Sequence, residues 1–178
     1  EGITEESLES WYQMRIKAKE KYAMLFRQPR VNELTREDFD SFLYYRNNRS
    51  WTNLYRRCKE AANNIDDLKR AIVYLQNEST DIKIRINSVL RGGSYYVRGM
   101  GKNLATAILH VCDREDKYGV WNSRTEGGLE KLGRLPRRTY NQGEFYYRIN
   151  LELNRLKKEL DTDLIIVDSF MWYVDKLR

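Results

Sequence analysis

The sequence predicts an all-α fold, a compact multi-helix domain. Three observations carry this. Only two prolines, Pro29 and Pro136, occur in 178 residues, and both fall between periodic segments. Apolar residues recur at helical spacing through most of the chain. Thr, Ser, Asn or Asp stands just ahead of most of those segments, where it can cap a first turn.

The elements follow in order. Glu5 to Phe26 reads as a first helix, marked by Leu8, Trp11, Tyr12, Ile16, Tyr22 and Phe26 and ended by Pro29. Thr35 with Asp38 forms a capping-box variant that opens a second, Arg36 to Tyr45. Ser50 caps a third, Trp51 to Ala62, and Asn64 a fourth, Ile65 to Gln76, with Leu68, Ile72 and Leu75 on one face. A fifth runs from about Asp81 to Leu90. Arg91–Ser94 is a loop, Tyr95–Val97 a short extended piece, and Gly99-Met100-Gly101 a turn opening a sixth helix, Lys102 to Val111. Ser123 with Glu126 makes a capping box for a seventh, Arg124 to Leu132, stopped by Gly133. A basic loop, Arg134–Gly143, precedes a long amphipathic helix, Glu144 to Leu160. Asp163 caps the last, Leu164 to Leu177. These group as N-terminal helices over 1–80, a central unit over 81–133 around the Gly turn, and C-terminal helices over 134–178.

Composition narrows the class. Apolar residues make up 41% and charged residues 33%, the balance of a folded chain with one core. No apolar run reaches bilayer length and no signal peptide is visible. Cys58 and Cys112 lie far apart without a Cys-x-x-Cys pair, so the expectation is two free thiols in a reducing cytoplasm and no structural zinc. A start at Glu1 rather than Met fits a processed or excised piece of a longer protein with flanking domains. His110, between Leu109 and Val111, reads as a buried, hydrogen-bonded histidine. Asp113, Glu115 and Asp116 read as a solvated helix end rather than a metal site.

The charge is segregated. Three stretches, Ser41–Lys59, Ile82–Cys112 and Lys131–Gly143, contain no Asp or Glu and hold five, five and four Lys or Arg. The net charge of +6 thus understates a basic face suited to a polyanion. The plainer reading is a solvated surface with chance clustering. The Gly99–Gly101 turn lies in the second stretch. A Gly-rich turn entering an apolar helix offers backbone N–H groups at the positive helix end, which suits a phosphate. Arg98, Gly99, Gly101 and Lys102 are therefore candidate contacts to a DNA backbone, together with Arg46, Arg49, Arg137 and Arg138. Asn47, Asn48 and Asn53 interleave with Arg46, Arg49, Arg56 and Arg57 and suit groove or phosphate contacts. Glycines also serve as plain turns, so the motif alone is weak.

Gly99–Leu109 followed by Trp121-Asn122-Ser123 resembles the core of the helix-hairpin-helix DNA glycosylase superfamily. The resemblance covers roughly Ile82 to Gly133. It implies a helix-hairpin-helix motif gripping double-stranded DNA through main-chain amides, a K+ or Na+ ion at the hairpin backbone, and a pocket for an extruded base. Lys117–Ser123, with Asn48–Thr52, also resembles an uncharacterised prokaryotic domain found with restriction and other DNA-targeting proteins. The superfamily's catalytic Asp matches Asn122 here, and the nucleophilic Lys of its bifunctional members matches Asn103. A carboxamide cannot act as a general base or stabilise a cation by charge. The resemblance therefore implies a non-catalytic relative without a cofactor.

Trp51, Tyr118, Trp121 and Asn122 are the candidate base pocket, by stacking and by an amide that both donates and accepts. The plainer roles are core packing for the aromatics and helix capping for Asn122. Tyr95 and Tyr96 lie beside the turn. Tyr146, Tyr147, Trp172 and Tyr173 read as core of the terminal helices. The expected function is non-catalytic DNA binding, as a module of a larger restriction or repair protein. Two alternatives are a helical protein-interaction module and a glycosylase or lyase with an atypical catalytic residue.

Overall fold

The chain folds around one buried helix. In the computed structural model, which describes residues 5–177, every residue from Leu104 to Cys112 of that helix, α7 (Lys102–Cys112), is buried. A helix apolar all round belongs at the centre of a domain. Around it lie α1 (Glu5–Phe26), α2 (Arg36–Leu43), α3 (Tyr45–Asn48), α4 (Leu54–Cys58), α5 (Ile65–Leu75), α6 (Ile82–Val89), α8 (Ser123–Lys131), α9 (Gln142–Glu159) and α10 (Leu164–Lys176). Two 3-10 turns, Arg30–Glu33 and Lys59–Asn63, complete the described elements, which include no β-strand. One continuous core runs from Tyr22 through α7 to Met171.

α7 packs against α1, α5 and α4, whereas α6 packs on α9 and α5. The two helices flanking the Gly turn thus share α5 as a neighbour, and the long connection Leu90–Gly101 joins them. The piece at Tyr95–Val97 is turn and loop, held by Tyr95 N–H to Ser88 C=O at 2.8 Å. α8 and α10 make the closest helix pair. Gly128 allows it, since a Cβ there would stand 2.8 Å from the Met171 carbonyl.

The expected caps Thr35, Asn64 and Asp163 are present, Asp81 and Asn141 cap two further helices, and two expectations differ. Thr35, Asn64, Asp81, Asn141 and Asp163 each accept an amide of their helix's first turn, and Thr35 with Asp38 forms the full capping box. At α8 the cap is Asn122, not Ser123. Its Oδ1 accepts the amides of Arg124 and Thr125 at 2.8 and 3.0 Å, one residue earlier than expected, which leaves Glu126 free for other partners. The third expected helix is also shortened. Arg49 adopts φ 59°, and Oδ1 of the buried Asn48 accepts the amides of Ser50 and Trp51, both at 2.8 Å. The chain turns there and becomes helical again only at Leu54.

Candidate nucleic-acid interface

An aromatic cleft of about 890 Å³ opens between α1, the Arg49–Asn53 turn, the first turns of α7 and α8, and α10. Trp11, Tyr45, Trp51, Trp172 and Tyr173 line it. Its floor is Arg15, whose side chain is 4% exposed. Arg15 Nη2 pairs with Asp168 at 2.8 Å, Nε donates to Ser50 Oγ at 2.9 Å and Nη1 to the Ile165 carbonyl at 3.0 Å. The buried charge thereby orders three walls of the cleft. Asp168 is the one carboxylate among the described residues lining it.

The wall carrying Tyr45, Arg49 and Trp51 also carries the first acid-free stretch. Arg46, Arg49, Arg56, Arg57 and Lys59 are all exposed, and among the described residues none pairs with a carboxylate. Asn47 and Asn48, read from sequence as groove contacts, are structural instead. Asn47 Nδ2 donates to the Ser41 carbonyl at 3.0 Å, and Asn48 Nδ2 to that of Phe42 at 2.9 Å. Asn53 faces the cleft, as do Asn103 and Asn122.

Helix polarity adds to this charge. Asn103 stands in the first turn of α7, and Asn122 through Arg124 open α8, so both helices point their positive ends at the cleft. Among helices of eight or more residues with a described N-cap, α7 alone lacks a side-chain cap, because Gly101 has none to give. The other end of α7, about 14 Å away by helical rise, borders a second cleft of about 900 Å³. There α1 and α5 end as well, and Arg27 Nε caps the Cys112 carbonyl at 2.9 Å. In the second cleft Lys69, Arg70 and Lys117 pair with carboxylates, whereas Arg46, Arg49, Arg56, Arg57 and Lys59 beside the first stand at the C-terminal ends of α3 and α4.

The Gly turn itself is less open than its sequence suggests. Gly99 has φ 91°, and a Cβ there would lie 2.8 Å from the Ala61 amide nitrogen, so this glycine serves a backbone-to-backbone contact with the 3-10 turn. Gly101 faces open space. Arg98 pairs with Glu60 at 2.8 Å on the surface. Lys102 pairs with Glu126 and lies 4.8 Å from the Trp121 ring centre. The Val97 carbonyl accepts from the Met100 amide and that of Gly101 from the Ala105 amide.

Two members of the expected base pocket lie in the core. Trp121, 4% exposed, stacks on Tyr146 and sends its indole N–H to Glu126. Tyr118 is buried, and its hydroxyl accepts from Arg85 at 2.6 Å. Neither can meet a base, because its polar atom and its ring are both occupied. Trp51 does reach the cleft, packed edge-on to Phe42 and His110, and its buried Nε1 has no hydrogen-bond partner. Asn122 reaches it too, with Oδ1 engaged as a cap.

The third basic patch is partly neutralised. Arg138 pairs with Glu126 and Arg134 with Glu159, both at 2.7 Å, while Arg137 has no carboxylate partner among the described residues. Tyr146 is core as expected, but Trp172 and Tyr173 are 48% and 59% exposed. The signal was present: α10 buries Leu164, Val167, Met171 and Val174, and residues 172 and 173 fall off that stripe. Trp11 and Arg15 carry no such signal, because the long α1 has no clean apolar face to set them apart.

Comparison of the chain with family models, with curated proteins and with solved structures finds no match in any of the three.

Proposed function

We propose that this domain binds nucleic acid without chemistry of its own, through the aromatic cleft and the basic wall beside it. The observation that carries the reading is the set of five exposed cations, Arg46 to Lys59, that pair with no carboxylate among the described residues, of which Arg49 lines the aromatic cleft and Arg46 and Lys59 lie against the stacked rings of Tyr44 and Tyr55. Phosphates pass along the cations and the positive ends of α7 and α8, and bases enter the cleft. The Gly99–Gly101 turn contributes through Gly101 and the open first turn of α7 rather than through both glycines. Among the described residues lining the cleft, Asp168 is the one carboxylate and is bound by Arg15, and Asn122 is an amide, which favours binding over glycosidic chemistry.

Fluorescence anisotropy of labelled DNA at low and near-physiological salt tests this. Binding should weaken steeply with salt. The variant R49A/R56A/R57A should flatten the slope of log K against log salt by up to about 0.9 for each phosphate it no longer neutralises. Salt-insensitive binding, or no binding at low salt, rejects the reading. The exposed rim of Leu8, Tyr45, Trp172 and Tyr173 favours protein capture as the second reading.

A further inference from the structure

We infer that the cleft receives several successive unpaired bases of a single strand, not one base swung out of a duplex. This rests on the nucleic-acid reading and specifies the form of the ligand.

Capacity favours a strand. About 890 Å³ lies near the top of the range, about 300–1,000 Å³, that holds a whole drug-sized molecule. A single base fills a small part of it. An enzyme-like base pocket is snug, because reading one base requires contact with its edges and both faces.

The state of the rings agrees. The core aromatics are paired: Phe42 with Tyr22 and Phe26, Trp121 with Phe145 and Tyr146. Among the described residues, Trp11, Tyr45, Trp172 and Tyr173 have no aromatic partner, and they share one cleft. Trp11 and Trp172 each carry a cation of their own helix against the ring, Arg15 at 5.0 Å and Lys176 at 3.7 Å. With Tyr45 and Tyr173 these rings on three helices make a platform for consecutive bases, whose π-faces are free only in a single strand.

Charge is placed to match. Arg49 and Lys176 pair with no carboxylate among the described residues. Arg49 stands beside Trp51 on one wall, and Lys176 lies 3.7 Å from the Trp172 ring centre on another. Cations beside rings on two walls match a backbone that crosses the cleft while its bases turn inward. A duplex, by contrast, presents phosphates outward and keeps its bases stacked on one another.

The test compares three labelled probes on the same protein: a mixed-sequence single strand, that strand annealed to its complement, and an abasic strand of the same length. The single strand should bind at least tenfold tighter than the duplex and the abasic strand. Trp172→Ala should weaken single-strand binding about five- to a hundredfold, as loss of one stacked base does, with Trp172→Phe largely restoring it. Unchanged melting of both variants, expected for a half-exposed side chain, separates binding from folding. Duplex binding as tight as single-strand binding, or no effect of Trp172→Ala, overturns the inference and leaves the nucleic-acid reading standing. Failure of all three probes at low salt overturns both.

Discussion

The indole N–H of Trp121 donates to Glu126 Oε1 at 2.6 Å, and the same carboxylate holds two cations. Lys102, the first residue of α7, bonds Oε1; Arg138, from the basic loop, bonds Oε2 at 2.7 Å. One side chain thus joins α7, the turn before α8, α8 and the loop. Burial pushes the Glu126 carboxyl pKa up. The hydrogen bonds from Lys102 and Trp121 and the charges of Lys102 and Arg138 outweigh it, so the group stays below the usual carboxylate range.

Glu126→Gln should therefore cost about 1.5–3 kcal/mol, the worth of hydrogen bonds to a charged group, read by denaturant unfolding. Trp121 fluorescence should report the change directly. In the nucleic-acid reading the same variant frees Lys102 and Arg138, and its salt slope should steepen. A variant as stable as the parent would show that Glu126 is a bystander.

The Arg15–Asp168 pair makes a second case. Removing one member of a buried pair leaves a charge uncompensated, at about 3–5 kcal/mol. Asp168→Asn should fall near that range, since Arg15 is 4% and Asp168 12% exposed. The double variant R15M/D168L should lose less than Asp168→Asn alone, because no charge is left stranded. Equal losses would mean that Arg15 stabilises through Ser50 and the Ile165 carbonyl rather than through Asp168.

The two glycines of the turn should separate cleanly. Gly99→Ala strains a backbone at φ 91° and drives a methyl into the Ala61 amide, so it should destabilise by about 1–3 kcal/mol. Gly101→Ala meets nothing and keeps an ordinary backbone, with φ −99°, so stability should change by under about 1 kcal/mol. Thermal melts of the two variants decide it. If Gly101→Ala weakens DNA binding while melting normally, the first turn of α7 touches the ligand.

Helix positions were legible because their signals are local. α1 and α5 through α10 start and stop within two residues of where periodicity, caps and Pro29 put them. The break before Leu54 was not legible. It depends on the Asn48 side chain folding back on two amides, and nothing in the spacing of Ser50 and Trp51 announces that. The site was legible in part. Arg49, Trp51 and Asn122 do line the cleft, and Arg46 is exposed on α3 next to the lining residue Tyr45. Trp121 and Tyr118 looked equally available, since an aromatic next to a cap can face either way. Only the tertiary partners, Glu126 and Arg85, settle that they face inward. Arg15 and Trp172 lie at opposite ends of the chain, and no local pattern brings them together.

His110 provides the pH dependence. Burial pushes its pKa down to about 3, the nearby Lys19 and Arg15 charges push the same way, and the hydrogen bond to the Tyr118 carbonyl opposes them. A carbonyl can only accept, so Nδ1 carries a proton and donates to it at 2.9 Å, and the depressed pKa keeps the folded imidazole neutral. In the unfolded chain the group titrates near 6.5. The unfolded state therefore binds the extra proton as pH drops through that value. The contribution of neutral His110 is fully present above about pH 6.5 and is lost toward lower pH, at up to about 1.4 kcal/mol per pH unit. The depressed carboxyls of Glu126, Glu144 and Glu159 add their own loss only as pH falls toward the ordinary carboxylate range, where it overlaps the lower part of the His110 window. Unfolding measured from neutral pH down to about 5 should show the slope, and His110→Gln should flatten it. The same slope in that variant would assign the effect to another group.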